Sequence, residues 1–349
     1  MILMQTLEQS IQGVAALGAM LENYFLYGKE AAIYTELEAA VEKAEQQNAW
    51  FDRENCLFAL KHWAGLLTEN HLREWLSAYT MAEKTPKQVA LVLAGNIPMV
   101  GFHDLLCVLL SGHKALVNLS SHDRVLLPFL MNKLSEISPN FQGMVAFTEE
   151  KLSDFDAVIA TGSNNTARYF EYYFGKKPHI IRHNRNSVAV LTGAETREEL
   201  FLLGEDIFRY FGLGCRSISK LFVPEDYDFV AFFEAIYPYH HLLEHQKYVN
   251  NYDYNKAVYL MSLFPLLENG FLLLKEDEKY ASPIATLFYE RYKNIPSLLQ
   301  RLETDKEQIQ CVVGGAAIPQ AVGFGQSQVP SLTDYADGVD TLVFLNNIN

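Results

Sequence analysis

Apolar residues recur at helical spacing through SIQGVAALGAMLENYFLYG and again through CLFALKHWAGLL, with charged residues between them and no β-type alternation, so residues 7–80 read as helical. Lys84-Thr85-Pro86-Lys87 punctuates the end of that region. Beyond Pro86 short apolar runs alternate with helical stretches: VALVLA (89–94), a helix from about Met99 to Leu110, KALVNL (114–119), and a helix from about Arg124 to Ile137. GMVAF (143–147), DAVIAT (156–161), a helix from about Thr166 to Phe174, HII (179–181) and SVAVL (187–191) follow. Continuous apolar strands separated by helices predict a parallel sheet covered on both faces, the pattern of a doubly wound nucleotide-binding domain. A second α/β unit is expected from Thr192, with the helix REELFLLGEDIFRYF, the turn GLGC and the strand SISKLFVP, then strands at FLLLK (271–275), IATLFYERY (284–292) and IQCVV (309–313). The expected division is 1–191, 192–322, and a tail of 323–349 that packs back on the body and ends in a strand, TLVFL.

Composition narrows the function classes. A formal net charge of −14 opposes binding to a phosphate backbone and argues against a nucleic-acid partner. Four scattered cysteines, with no CxxC pair, read as reduced thiols rather than a disulfide framework or a zinc site. The start lacks a basic segment followed by an apolar block, and the longest apolar stretch, Ile97 to Leu110, is interrupted by His103 and Asp104. The expectation is a cytoplasmic protein with no leader and no membrane span.

Three segments carry candidate chemistry. In GLGC (212–215) a cysteine on a tight turn, just before a strand, presents its sulfur and its backbone N–H to one small volume. A thioester-forming nucleophile needs both, although a buried, inert cysteine is the commoner fate of the residue. Cys56, Cys107 and Cys311 lie in apolar helix or strand patterns and read as core. In LAGNIPMVG (93–101) Asn96 follows a strand end and a glycine, where it serves equally as an oxyanion donor or as a cap for the next helix. In ATGSNNTARYF (160–170) a strand runs through Gly162 and Ser163 into a helix whose free N–H groups suit a phosphate, or form a plain capped start. The GxGxxG fingerprint of ordinary dinucleotide-binding dehydrogenases is absent.

Two further clusters stand out. KKPHIIRHNR (176–185) is the densest positive patch, able to meet a phosphate of CoA or of NADPH or to favour a thiolate at Cys215, or to be a solvated strand entry. Its candidate partners are Arg182, His183 and Arg185. YHHLLEH spaces His241 and His245 at i and i+4 but lacks a third ligand, so a surface helix and no metal are expected. The 22 Phe and 19 Tyr suit an acyl tunnel and an ordinary core alike.

Across about residues 86–224 the order and spacing of these elements resemble the aldehyde dehydrogenase superfamily. GNIP resembles its Asn-x-Pro element, LLSGHKALVNLSSHDR its following strand and cofactor-ribose loop, ATGS its Thr-Gly-Ser element, and GLGC with LFVP its catalytic-cysteine motif. More weakly, SPIATLFYERYKNIPSLLQRL resembles the Gly-Pro strand and the helix after it. The tail FGQSQVPSLTDYADGVDTLVFL is similar to the acyl-CoA reductase branch, which includes the fatty-acid reductase of bacterial luminescence. The resemblance implies an α/β fold with a helical N-terminal region, a doubly wound nucleotide-binding domain and an α/β catalytic domain. It further implies Cys215 as nucleophile and Asn96 as oxyanion donor, with Asn118, Ser120, Thr161, Gly162 and Ser163 against the cofactor, NADPH or NADH, and a CoA thioester as substrate.

The departures bear on the reaction. Hydrolytic relatives carry Glu-Leu-Gly-Gly, whose Glu activates water, whereas the corresponding Ile181-Arg182-His183-Asn184-Arg185-Asn186-Ser187 has no carboxylate. An acyl-CoA reductase has no use for that base, since water would consume its acyl-enzyme. Leu213 stands where the family usually has Gln, and no oligomerisation hairpin is evident before residue 88, so a homodimer is left open. The alternatives are NAD-dependent aldehyde oxidation and a non-catalytic, partner-binding relative.

Overall fold

The computed structural model describes residues 2–80, 85–162 and 164–348. The chain divides into two units: residues 1–183 with 331–349, and residues 184–330.

In the first unit four helices, α1 (Ile2–Tyr27), α2 (Tyr34–Gln47), α3 (Arg53–Leu66) and α4 (Glu69–Ser77), precede the sheet, as the 3.6-residue periodicity predicts. Asp52 caps α3 through the Asn55 N–H and Thr68 caps α4 through the His71 N–H. The sheet contains β1 (Gln88–Val92), β2 (Lys114–Asn118), β3 (Val145–Thr148), β4 (Ala157–Thr161) and β5 (His179–Arg182). All are parallel, in the order β3-β2-β1-β4-β5. The crossovers carry α5 (Phe102–Leu110), α6 (Leu126–Ile137) and α7 (Asn164–Phe174). α5 is buried almost throughout, which accounts for its nearly unbroken apolar sequence.

In the second unit β6 (Asn186–Val190), β7 (Ile218–Pro224), β8 (Leu266–Glu268), β9 (Leu273–Glu276), β10 (Thr286–Tyr292) and β11 (Ile309–Gly314) form a sheet in the order β11-β6-β7-β10-β9-β8. Only β8, at the edge, runs antiparallel to its neighbour. The helices are α8 (Arg197–Phe208), α9 (Val230–Ile236), α10 (Gln246–Met261) and α11 (Ile295–Thr304). α8 opens with a reciprocal capping box between Thr196 and Glu199. SVAVL, expected in the first sheet, supplies β6 of the second, between β7 and β11. All five residues of SVAVL are buried, as fits a strand with a neighbour on each edge.

The expected terminal strand TLVFL is instead a helix, α12 (Thr341–Asn346), packed against α5 within the first unit. Asp340 caps it by accepting from the Val343 N–H, and Leu342 and Leu345, three apart, are fully buried. The segment before it is tied to α4, to Tyr79 just beyond α4, and to α5. Trp75 Nε1 donates to Tyr335 Oη (2.8 Å), Tyr79 Oη donates to Asp340 (2.7 Å), and His103 Nε2 meets the Leu332 carbonyl (2.9 Å). No helix among the described residues is long and apolar enough to cross a membrane.

Candidate active site

β1, β2 and β4 are neighbours that run in one direction, so their carboxyl ends lie along one edge of the first sheet. That edge gathers Asn96 beyond β1, Asn118 and Ser120 at the end of β2, and Thr161 and Gly162 at the end of β4. The chain order reverses at β1, which makes this edge the switch point where open α/β sheets bind ligands. Ser163 lies outside the described residues.

The backbone approaches closely there. A Cβ on Gly95 would stand 2.6 Å from the Ser120 side chain, and one on Gly162 would stand 2.9 Å from Phe170 and 3.0 Å from Thr166 on α7. Asn118 holds the edge together: its side chain donates to the Thr148 carbonyl (3.2 Å) and its own carbonyl accepts from the Leu93 N–H (3.1 Å). The Ser120 hydroxyl accepts from the His122 N–H (3.2 Å).

Asp123, which sequence reasoning passed over, fixes the loop that carries Asn96. Its carboxylate is buried and accepts the N–H of Met99 (3.0 Å), a residue held at a left-handed φ of 56°. The second carboxylate oxygen is buried without a hydrogen-bond partner among the described residues. Burial pushes this carboxyl up to about 6, and the Met99 bond recovers only part of the loss. A carboxyl raised in the folded state stabilises fully below its unfolded pKa, and that contribution is lost as pH rises through about 6. Asp123→Asn keeps a carbonyl for Met99 and removes the buried charge. Its stability relative to wild type is expected to improve between about pH 4 and pH 8 by roughly 2 kcal/mol. Urea unfolding at both pH values measures this, and a pH-independent difference would show that Asp123 is not the titrating group.

The basic cluster separates. Arg182 closes β5 with its side chain only 4% exposed, against Asp104 at 9%. It donates to the Asp104 carboxylate (2.6 Å), to the Thr341 hydroxyl (3.0 Å) and to the Ala336 carbonyl. Arg182 is thus committed to tying the C-terminal segment to α5, which corrects its reading as a phosphate or thiolate partner. His183 is half exposed, 3.9 Å from Glu171 of α7. Arg185 belongs to the second unit and donates to the Lys306 carbonyl (3.3 Å).

In the second unit α8 ends in a kink where Tyr210 and Phe211 both take left-handed backbone (φ 54° and 57°) ahead of Gly212. Such residues persist only where packing holds them. Phe211 is buried against His245, with ring centroids 4.1 Å apart. The kink delivers Cys215 to a turn that begins β7, where it is exposed. Cys56 and Cys107 are buried, and burial pushes both thiols up. The Cys215 turn is pinned on two sides. Ser187 Oγ donates to the Cys215 carbonyl (2.9 Å), and the Gly214 N–H donates to Ser217 Oγ (3.2 Å). The Ser187 hydroxyl also accepts from the Cys311 N–H (3.2 Å), with Cys311 Sγ at 3.1 Å, so Cys311 is a partner of Ser187. YHHLLEH lies in the 3-10 helix Tyr237–Glu244 up to its last residue, His245, whose ring caps α10 by accepting from the Tyr248 N–H.

Comparison with solved structures identifies the fold. The chain is similar to a putative aldehyde dehydrogenase, PutA, from Anabaena variabilis, with a TM-score of 0.62, 13% identity, and 98% of this chain and 91% of that one covered. It is similar to aldehyde dehydrogenase 21 from Physcomitrella patens in complex with succinate, with a TM-score of 0.65, 10% identity, and 98% and 84% covered. A Mycobacterium tuberculosis aldehyde dehydrogenase complexed with NAD+ gives a TM-score of 0.60 at 11% identity, with 88% and 73% covered. The architecture is therefore that of the aldehyde dehydrogenases, with N-terminal helices and two mainly parallel sheets. No curated protein sequence matches this chain. The profile of one oxidoreductase family matches residues 6–235, about two thirds of the sequence, and by that match the chain belongs to the acyl-CoA reductase (LuxC) family.

Proposed function

We propose that this protein reduces an acyl-CoA thioester, in the first instance a fatty acyl one, to the aldehyde through an acyl-enzyme on Cys215, with NADPH or NADH as reductant. The observation that carries the reading is the exposure of Cys215 on a turn braced by Ser187 and Ser217, whereas Cys56 and Cys107 are buried and Cys311 is bound to Ser187. The Cys215 thiolate attacks the acyl carbonyl carbon, forming a C–S bond. The tetrahedral oxyanion collapses, the bond to CoA sulfur breaks, and CoA leaves as a thiolate. The side-chain amide of Asn96 and the Cys215 N–H are assigned as donors to that oxyanion.

The carboxyl edge of the first sheet suits a dinucleotide. Asn118, Ser120 and Thr161 lie there at the switch point, with the first turn of α7 following. When bound there, the reduced nicotinamide supplies the hydride that the acyl carbon requires. Cys215 then departs as a thiolate and free aldehyde is released. The segment from Ile181 to Ser187 supplies no carboxylate to activate water, and its Arg182 is committed to Asp104, which supports reduction over hydrolysis. Loss of reduced-cofactor absorbance across a series of acyl-CoA chain lengths, with the aldehyde trapped as a hydrazone, tests the function. The expected result is equal consumption of cofactor and formation of aldehyde, and in Asn96→Ala a kcat lower by about 10²–10³. Oxidation of added aldehyde by NAD+ at the same rate without CoA would overturn it.

A further inference from the structure

The segment from Phe324 to Gln328 belongs to the second unit and has no part in the proposed chemistry, yet it is closely built. Ser327 and Gln328 are buried. Two of its backbone N–H groups, those of Gly325 (2.6 Å) and Ser327 (2.8 Å), donate to the two carboxylate oxygens of Asp206, a wholly buried residue of α8. From the other side the segment reaches the residues that follow Cys215. Arg216 Nε donates to the Ser327 carbonyl, and Gln328 Nε2 donates to Ser217 Oγ (3.3 Å). Ser217 in turn accepts the Gly214 N–H and donates its own N–H to the Gly214 carbonyl (2.9 Å). A continuous chain of hydrogen bonds thus runs from Asp206 through this segment, a strap, to both flanks of Cys215.

Resting on the reading of Cys215 as the nucleophile, we infer that Asp206 is a positioning residue, which fixes the strap Gly325–Gln328 and thereby the shape of the Cys215 turn. A buried carboxylate is an expensive way to hold two amides, because burial favours its neutral form and its pKa is pushed up to about 6. A neutral side chain would hold a merely structural loop at less cost. What the carboxylate adds is two acceptors of fixed direction, so both strap N–H groups are set at once. Asp206→Asn offers one acceptor and turns an NH2 group toward the second N–H. Gln328→Ala removes a single bond, that to Ser217, and leaves α8 untouched.

The test reads the cysteine itself. Iodoacetamide alkylation of Cys215, followed by peptide mass mapping, gives a rate constant that needs no catalysis. Acylation by a fatty acyl-CoA, normalised to the titrated Cys215 thiols, gives a second. An ordered turn presents N–H groups that favour the thiolate, so loosening it slows both. Asp206→Asn is expected to acylate roughly tenfold more slowly per titrated thiol, with KM within about twofold, and Gln328→Ala about threefold more slowly. Alkylation is expected to fall about threefold or more in Asp206→Asn. A merely structural role would lower the folded fraction, exposing the buried Cys56 and Cys107 to titration, and leave both rate constants of the folded protein alone. If folded variants alkylate and acylate at wild-type rates per thiol, the positioning role is overturned. If Asp206→Asn does not fold, Gln328→Ala decides by the same criterion. A wild type that alkylates at Cys215 but takes no acyl group would overturn the proposed function, and the alkylation rates would still decide the role of the strap.

Discussion

Cys215→Ala is expected to yield a folded protein that takes up no acyl group from acyl-CoA and produces no aldehyde. Cys215 is exposed, so removing its sulfur empties no core volume, and the backbone bonds of the turn, Ser187 to the Cys215 carbonyl and Ser217 to Gly214, do not depend on it. The stability change should stay within about 0.5 kcal/mol, the range of surface substitutions. The other thiols are poorly placed to substitute. Cys56 and Cys107 have no exposure and raised thiols, and Cys311 Sγ lies against the Ser187 hydroxyl. Mass spectrometry after mixing with acyl-CoA should show one adduct, on the Cys215 peptide of the wild type alone. An adduct of the same yield in the variant would remove Cys215 from the mechanism and direct attention to Cys311.

The second large effect is on stability. Arg182→Ala is expected to cost about 3–5 kcal/mol, the usual loss when one partner of a buried ion pair is removed. Asp104 would be left buried with the Thr341 hydroxyl as its remaining donor, and the Ala336 carbonyl would lose its guanidinium partner. Because Arg182 joins β5 to the segment that carries α12, the damage should appear as early release of the C-terminal segment to protease. Arg182→Glu, which restores a carboxylate near the position of the hydrolytic base, would set two carboxylates together out of water and is expected not to fold. Urea denaturation measures the loss. A folded Arg182→Ala weakened by less than about 1 kcal/mol would mean that the pair contributes little.

Local pattern made much of this fold legible before any coordinates. The helical start, the alternation after Pro86 and the GLGC turn ahead of a strand follow from periodicity and turn chemistry, which act over a few residues. What escaped depends on distant partners. SVAVL looks like a fifth apolar strand of its local series, and only pairing with β7 and β11 assigns it to the second sheet. TLVFL is too short for period to separate strand from helix, although Asp340 ahead of it was a readable cap signal. Arg182 sat in a basic cluster that suggested solvent or phosphate, and its counter-ion Asp104 lies far away in sequence on α5. Asp123 lies in the segment that resembles the cofactor-ribose loop and Asp206 in a plain helical run, and nothing in either segment marks out the acid. Each is an isolated acid whose value lies in the backbone N–H groups that the fold brings to it.

The central claim, that Cys215 holds an acyl group for reduction rather than for hydrolysis, is tested most directly by a single turnover of pre-formed acyl-enzyme. The protein is acylated, freed of CoA, and divided between buffer with and without reduced cofactor. Without it the thioester should persist over many turnover times, because no carboxylate in the segment from Ile181 to Ser187 activates water. With NADPH or NADH present, aldehyde should appear at or above the steady-state rate. Release of free acid in the absence of cofactor, as fast as turnover, would contradict the reductase mechanism.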